Sequence, residues 1–283
     1  MENKRNYYLG IDLNDKYAMI SYFQLNMNEP ETVSTIAGSE NFQIPLILAK
    51  RKEIGQWYYG DEARKMAQNT DMICLDKLLS RAVNGDELVI DDETYPAEEL
   101  LALFLNKITA LPNKLGNTCD FDRLVITVDR LSKENMDMFW RIMPKLGFKP
   151  EQFMVIDHKE SFYYFALSQK EDLWLHDVYL FEFDKTNIRY FSLKRSRRTT
   201  PQVVTIEESP KRTINGDPDI EFSRIIQKAF ENKIISTVYL VGDGFDGGWM
   251  QSSLNILCKG RRAFVGKNLF SKGACYAAEV RDN

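Results

Sequence analysis

The chain has 283 residues, 44% hydrophobic and 28% charged, with a formal net charge of −4 and a pI of about 5.5. That composition fits a globular protein with a sizeable core and argues against a general nucleic-acid binder. No apolar run is long enough to cross a bilayer, and the first five residues, Met-Glu-Asn-Lys-Arg, lack the apolar stretch of a secretion signal.

In chain order, Tyr7 to Asn14 reads as a short apolar strand carrying a buried-type aspartate, Asp12. Tyr17 to Phe23 reads as a second strand, so the two make a hairpin. Asp12 at the bend is a candidate to hold a metal-bound water beside a phosphate, or to cap the bend as an Asx turn. Trp57-Tyr58-Tyr59 reads as a strand with core aromatics. Asp86-Glu87 and Asp91-Asp92-Glu93 flank a Leu-Val-Ile run and predict an exposed hairpin, with a cation site as the lesser reading. Pro96 with Glu98 and Glu99 suits a helix start, and Leu100, Leu101, Phe104, Leu105 and Ile108 form its apolar stripe. Leu124 to Val128 is a strand. Ser132 caps a helix with Met136, Phe139, Trp140 and Met143 on one face, ended by Pro144 and Gly147. Phe162-Tyr163-Tyr164-Phe165 lies in a further helix and reads as core.

Ser168 to Asp177 is a polar stretch and the expected lobe boundary. Val178 to Phe181 and Ile188 to Leu193 are β-rich runs around a polar turn. Lys194 to Arg198 reads as a solvated basic hairpin tip rather than a nucleic-acid or lipid contact. Thr199 to Gly216 reads as strand and loop, and Ile220 to Phe230 as one helix with Phe222, Ile225, Ile226, Ala229 and Phe230 in the core. Val238 to Met250 is the most informative stretch. A β-branched run stops in Gly242, Gly244, Gly247 and Gly248, and a helical pattern of Met250, Leu254 and Leu257 follows. A glycine turn leading into a helix lets backbone approach an anion closely, although such turns also serve geometry alone. Cys74, Cys119, Cys258 and Cys275 show no C-x-x-C spacing and predict reduced, mostly buried thiols. With only His158 and His176, a multi-histidine metal site is not expected.

Taken together, these segments resemble the actin-like ATPase superfamily, and their order resembles its DnaK-type chaperone branch. Ile44-Pro-Leu-Ile-Leu followed by Gly60-Asp-Glu-Ala-Arg64-Lys-Met-Ala67 is similar to "TPS-hydrophobic … VGxxAKxxA". Leu75-Asp-Lys77-Leu-Leu is similar to "AKRLIG", and Tyr95-Pro96-Ala-Glu98-Glu99 to "SPEEI". Leu124-Val-Ile-Thr-Val128 is similar to "AVITVP", Lys145 through Asp157 to "AGL … IINEP", and Lys272 through Ala278 to "DEAVAYGAA". The matches run co-linearly over nearly the whole chain, and their order and spacing carry the resemblance. It implies an α/β fold of two ribonuclease-H-like lobes, residues 1–170 and 171–283, with ATP and Mg between them. The span Val204 to Val238 is too short for the helical subdomain that clamps adenine in chaperones, so the second lobe is expected to be reduced.

The departures bear most on function. The resemblance places phosphate and metal roles on Gly10, Asp12, Asn14 and Lys16 of the first hairpin. It places them on Glu182, Asp184, Lys185 and Thr186 of the second, on Lys77, and on Gly242, Asp243 and Gly244 of the adenosine side. Asn14 and Asp15 replace the Gly and first Thr of "DLGTT". Asp184-Lys185-Thr186 replaces all three glycines of the second phosphate loop, and Glu182 stands for the magnesium-side Asp. The glutamate that positions the attacking water falls on His158, or on Glu160 after a small shift; His158 is a general base or a hydrogen-bonded structural histidine. If Mg is bound, Asp12 and Glu182 are its ligands; the altered loops equally admit no cofactor.

The expectation is a degenerate actin-like domain acting as a cytoplasmic scaffold, with a protein partner or self-association and weak or absent ATP hydrolysis. The alternative is a working ATP-binding, cytoskeletal-type protein, and a sugar or acid kinase ranks third for want of an acceptor motif. The chain is also expected to be a fragment of a longer protein, because its last helix stops where the family's helix continues.

Overall fold

The computed structural model describes residues 7–114, 121–196 and 199–280. It is a mixed α/β structure that divides into two compact units. The first comprises residues 1–161 and 270–283, the second 162–269. The divide falls inside the helix His158–Leu167, upstream of the expected boundary at 170/171. The C-terminal helix Leu269–Val280 counts with the first unit from Phe270 onward.

The first unit is built on the strand Tyr7–Leu13, all of whose residues are buried. It pairs antiparallel with Tyr17–Gln24 on one side and parallel with Arg123–Val128 on the other, and Phe153–Asp157 lies parallel beyond. Strands buried on both faces read as continuous apolar runs, which is why Tyr-Tyr-Leu-Gly-Ile stands out in the sequence. The predicted stripe holds: the helix Ala97–Thr109 buries Leu100, Leu101, Phe104, Leu105 and Ile108. The helix Lys133–Ile142 opens on Ser132, whose side chain accepts from the Asn135 amide, while Asn135 returns a bond to the Ser132 amide. Trp140 departs from its expected core position and is 40% exposed. Successive helical residues diverge by about 100°, so burying Phe139 turns Trp140 outward, where its ring and that of Phe153 form a T-shaped pair with centroids 5.9 Å apart.

Helix Leu269–Val280 packs on the first strand at Gly10. A Cβ there would lie 2.6 Å from the Cys275 amide nitrogen and closer still to the Ser271 carbonyl. The Ser271 hydroxyl meets that of Ser21 at 2.7 Å, with both side chains buried. The predicted acidic hairpin exists as Glu87–Ile90 and Glu93–Pro96; Asp91 at its turn is held by Lys50 at 2.6 Å rather than exposed for a cation.

The second unit repeats the strand order. Asp177–Phe183 pairs antiparallel with Asn187–Ser196 and parallel with Ile235–Val241, and Arg262–Gly266 lies parallel beyond. Val203–Glu208 extends the other edge. One helix, Pro218–Phe230, covers the core formed by Phe181, Phe222, Ile226 and Leu240. Its N-cap, Asp217, accepts from the amides of Asp219 and Ile220.

The glycine-rich stretch differs from its predicted form. After Ile235–Val241 comes a single 3-10 turn, Asp243–Phe245, and the α-helix Ser252–Leu257 starts later and is only six residues long. Between them Gly247 adopts φ 92°, and Phe245, Trp249 and Met250 are drawn into the aromatic core. Burial of these side chains overrides the helical spacing. Two further expectations are corrected. Cys74 and Cys258 are exposed and only Cys275 is buried, while Cys119 lies outside the described residues. Lys194 to Ser196 is strand, not hairpin tip, and the Arg195 side chain is 10% exposed; Arg197 and Arg198 lie outside the described residues. Among the described residues no helix is long and apolar enough to cross a membrane.

Candidate functional site

In the first unit, Asp12 sits near the C-terminal end of the central strand, in register with Thr127. It is 2% exposed and belongs to the strand rather than capping the bend. His158 follows directly on the strand Phe153–Asp157 and is 5% exposed. Its Nε2 lies 2.8 Å from Asp12 Oδ1, and its Nδ1 lies 4.0 Å from an Asp129 oxygen. The Phe270 ring stacks on the imidazole with centroids 3.8 Å apart and planes 4° apart. The pair is thus locked from two sides, by a carboxylate and by an aromatic face. Glu160, the alternative position, is two residues on in the same helix. It lies exposed, its amide donates to Asp157 Oδ1, and partial loss of water together with Asp157 lifts its pKa.

The turn that follows Asp12 is closed by its own side chain. Asn14 Oδ1 accepts the amides of Lys16 at 2.8 Å and Tyr17 at 3.0 Å. This is an Asx turn, in which a side-chain oxygen stands in for a backbone or ligand acceptor. Asp15 reaches across to accept the Ser80 amide at 2.9 Å, in the first turn of the helix Leu78–Asn84. Its carboxylate therefore complements that helix end instead of leaving an unmatched negative charge beside the turn. Lys16 is exposed. Lys77 precedes the same helix in left-handed conformation, φ 52°, and is also exposed. Beside this turn is a cavity of about 300 Å³, lined by Leu13, Leu79, Val83 and Val128 together with Asp129 and Arg130.

In the second unit the equivalent turn has the same construction. Asp184 Oδ1 accepts the amides of Thr186 at 2.9 Å and Asn187 at 2.6 Å, while Lys185 takes φ 77°. Glu182 is held by Arg189: Nε and Nη2 meet its Oε2 at 2.6 and 2.5 Å, and Nη1 meets Glu208 at 2.9 Å. The Arg189 side chain is 1% exposed and lies over the Phe191 ring. Sequence reasoning did not find this arginine. The signal was a single cation inside the β-rich run Ile188 to Leu193, two residues before an aromatic on the same strand face.

Gly242 and Gly244 adjoin this turn and serve close packing. Gly242 has φ 111°, and a Cβ on it would strike the Phe183 carbonyl. A Cβ on Gly244 would meet the Phe183 ring and lie 2.7 Å from the Lys185 amide nitrogen. Asp243 lies 3.6 Å from the Lys267 ammonium, which Asp246 binds at 2.8 Å. The space these glycines open is filled by the chain itself.

These residues therefore do not fit a magnesium nucleotide as they stand. The amides of Lys16, Tyr17, Thr186 and Asn187 are bonded to side chains of their own turns, and the carboxylate expected to serve magnesium in the second unit is ion-paired to a buried arginine.

Fold and site define a mixed α/β protein with two hairpin turns of one design, each closed by its own side chain. The chain belongs to the family described as "Family of unknown function (DUF5716) C-terminal", whose model matches residues 29–283. No curated protein matches the chain.

Proposed function

We propose that this chain is a degenerate member of the actin-like ATPase superfamily, with two ribonuclease-H-like lobes, serving as a scaffold or interaction module rather than as an ATP hydrolase. The duplicated strand order supports the fold assignment: each unit has an antiparallel hairpin whose first strand is followed on its other side by two parallel strands. The observation that carries the functional reading is the set of four turn amides accepted by Asn14 and Asp184. A phosphate binding either turn must displace those oxygens. At about 0.5–1.5 kcal/mol net for each bond, the two bonds of one turn amount to about 1–3 kcal/mol. That corresponds to a loss of roughly 5-fold to 150-fold in affinity. Asp184 would add like-charge repulsion of about 1–4 kcal/mol at contact.

Calorimetry with Mg-ATP on the wild type and on Asp12→Ala tests the reading. The expected result is no saturable heat with either protein at ~1 mM nucleotide. Micromolar binding that disappears in Asp12→Ala contradicts it, and supports the alternative of a working ATP-binding protein.

A further inference from the structure

The second unit contains a groove of about 630 Å³ at the end of its sheet where Asp177–Phe183 and Ile235–Val241 begin. This volume lies within the range of ligand sites. Arg195 comes from the far end of Asn187–Ser196, His176 from the residue before the first of those strands, and Lys233 from the turn before the second. Leu175 and Ile234 flank them and are 41% and 71% exposed. In a chain of net charge −4, the groove sets two cations, Arg195 and Lys233, beside exposed aliphatic surface.

Arg195 is the informative member. Its side chain is 90% buried, by its 10% exposure, and its guanidinium lies 4.5 Å from the Trp174 ring centroid. Glu171, itself 70% exposed, approaches Nη2 only to 3.7 Å, and Nε is buried without an acceptor among the described residues. A buried donor of a charged group calls for an acceptor, which water, an ion or a ligand can supply. A guanidinium presents a planar fork that a carboxylate matches. One carboxylate, Asp177, lines the groove beside His176 and Lys233; Lys194 nearby is paired with Glu207 at 2.5 Å.

We propose that this groove is a docking site for an extended acidic segment of a partner protein. In it a carboxylate pairs with Arg195 and Lys233, and an aliphatic side chain lies on Leu175 and Ile234. Charge complementarity selects an anionic segment, and the exposed aliphatic pair selects a peptide over a small free anion. The inference does not depend on whether the hairpin turns bind nucleotide.

The test is fluorescence anisotropy of the full chain with a labelled hexapeptide of alternating Glu and Leu. Lys233 is exposed, so Lys233→Glu is expected to fold normally and to weaken binding by roughly tenfold or more. Ile234→Asp is expected to weaken it as well, with an unchanged melting temperature, and the peptide with Lys in place of Glu is expected not to bind. Absence of binding at ~1 mM peptide, or equal affinity for wild type and Lys233→Glu, overturns the proposal. Full displacement by millimolar inorganic phosphate overturns the peptide assignment in favour of a free anion.

Discussion

Gly244→Ala separates two uses of glycine that look alike in sequence. If Gly244 were kept so that backbone could approach a ligand, a methyl group would face open space in the protein alone and stability would be unchanged. The structure places that methyl against the Phe183 ring and 2.7 Å from the Lys185 amide nitrogen. Phe183 is 4% exposed and edges onto Phe245 at 5.6 Å and Trp249 at 6.0 Å, so its ring has little room to swing away. Forcing a methyl into a packed site of this kind costs about 1–3 kcal/mol. The melting temperature then falls by about 2–8 °C per kcal/mol, the larger figure applying if the second unit melts alone. Thermal denaturation followed by Trp fluorescence reads the effect directly, since Trp249 belongs to the same cluster. A ligand-free melting temperature within error of wild type would refute the packing argument and return Gly244 to a ligand role.

Three further outcomes follow from the same reasoning. Gly10→Ala is expected to destabilise at least as strongly as Gly244→Ala, because the colliding atoms are backbone of the helix Leu269–Val280; chemical denaturation measures it. Arg189→Met leaves Glu182 and Glu208 facing each other without their cation. With side chains 26% and 15% exposed, the loss is expected near the lower end for broken buried pairs, about 3 kcal/mol, and adding Glu182→Gln should restore part of it. Asp219 accepts from the Ser253 hydroxyl and from the amides of Ser253 and Ser252, and these bonds hold its carboxyl below its ordinary value of 3.8. A depressed folded-state pKa gives stability that is present above the ordinary value and lost as pH falls below it. The melting-temperature difference between wild type and Asp219→Asn should therefore be full at neutral pH and shrink as pH drops from about 4.

Much of the fold is legible in the sequence because apolar runs and caps act locally. Tyr7 to Leu13, Leu124 to Val128 and Val238 to Val241 are strands buried on both faces, and Ser132 and Pro96 mark helix starts. The turn chemistry was legible only in kind: an Asx turn is expected at the first hairpin on Asp12, and the structure forms it on Asn14 and again on Asp184. What is not legible is long-range pairing. His158 meets Asp12 across 146 positions of sequence, and nothing local in Asp157-His158-Lys159-Glu160 announces that partner. Arg195 reads as part of a solvated basic tip because the chain as a whole is acidic, yet strand alternation carries it onto Trp174. The helix expected from Met250, Leu254 and Leu257 shortened because the aromatic core took Phe245, Trp249 and Met250 first.

The most direct test of the central claim is amide hydrogen exchange of Lys16, Tyr17, Thr186 and Asn187, followed by NMR with and without Mg-ATP. All four amides are expected to be protected in the protein alone, being bonded to Asn14 and Asp184, and nucleotide is expected to leave their shifts and exchange rates unchanged. Fast exchange without nucleotide, or protection that appears only when Mg-ATP is added, would contradict it.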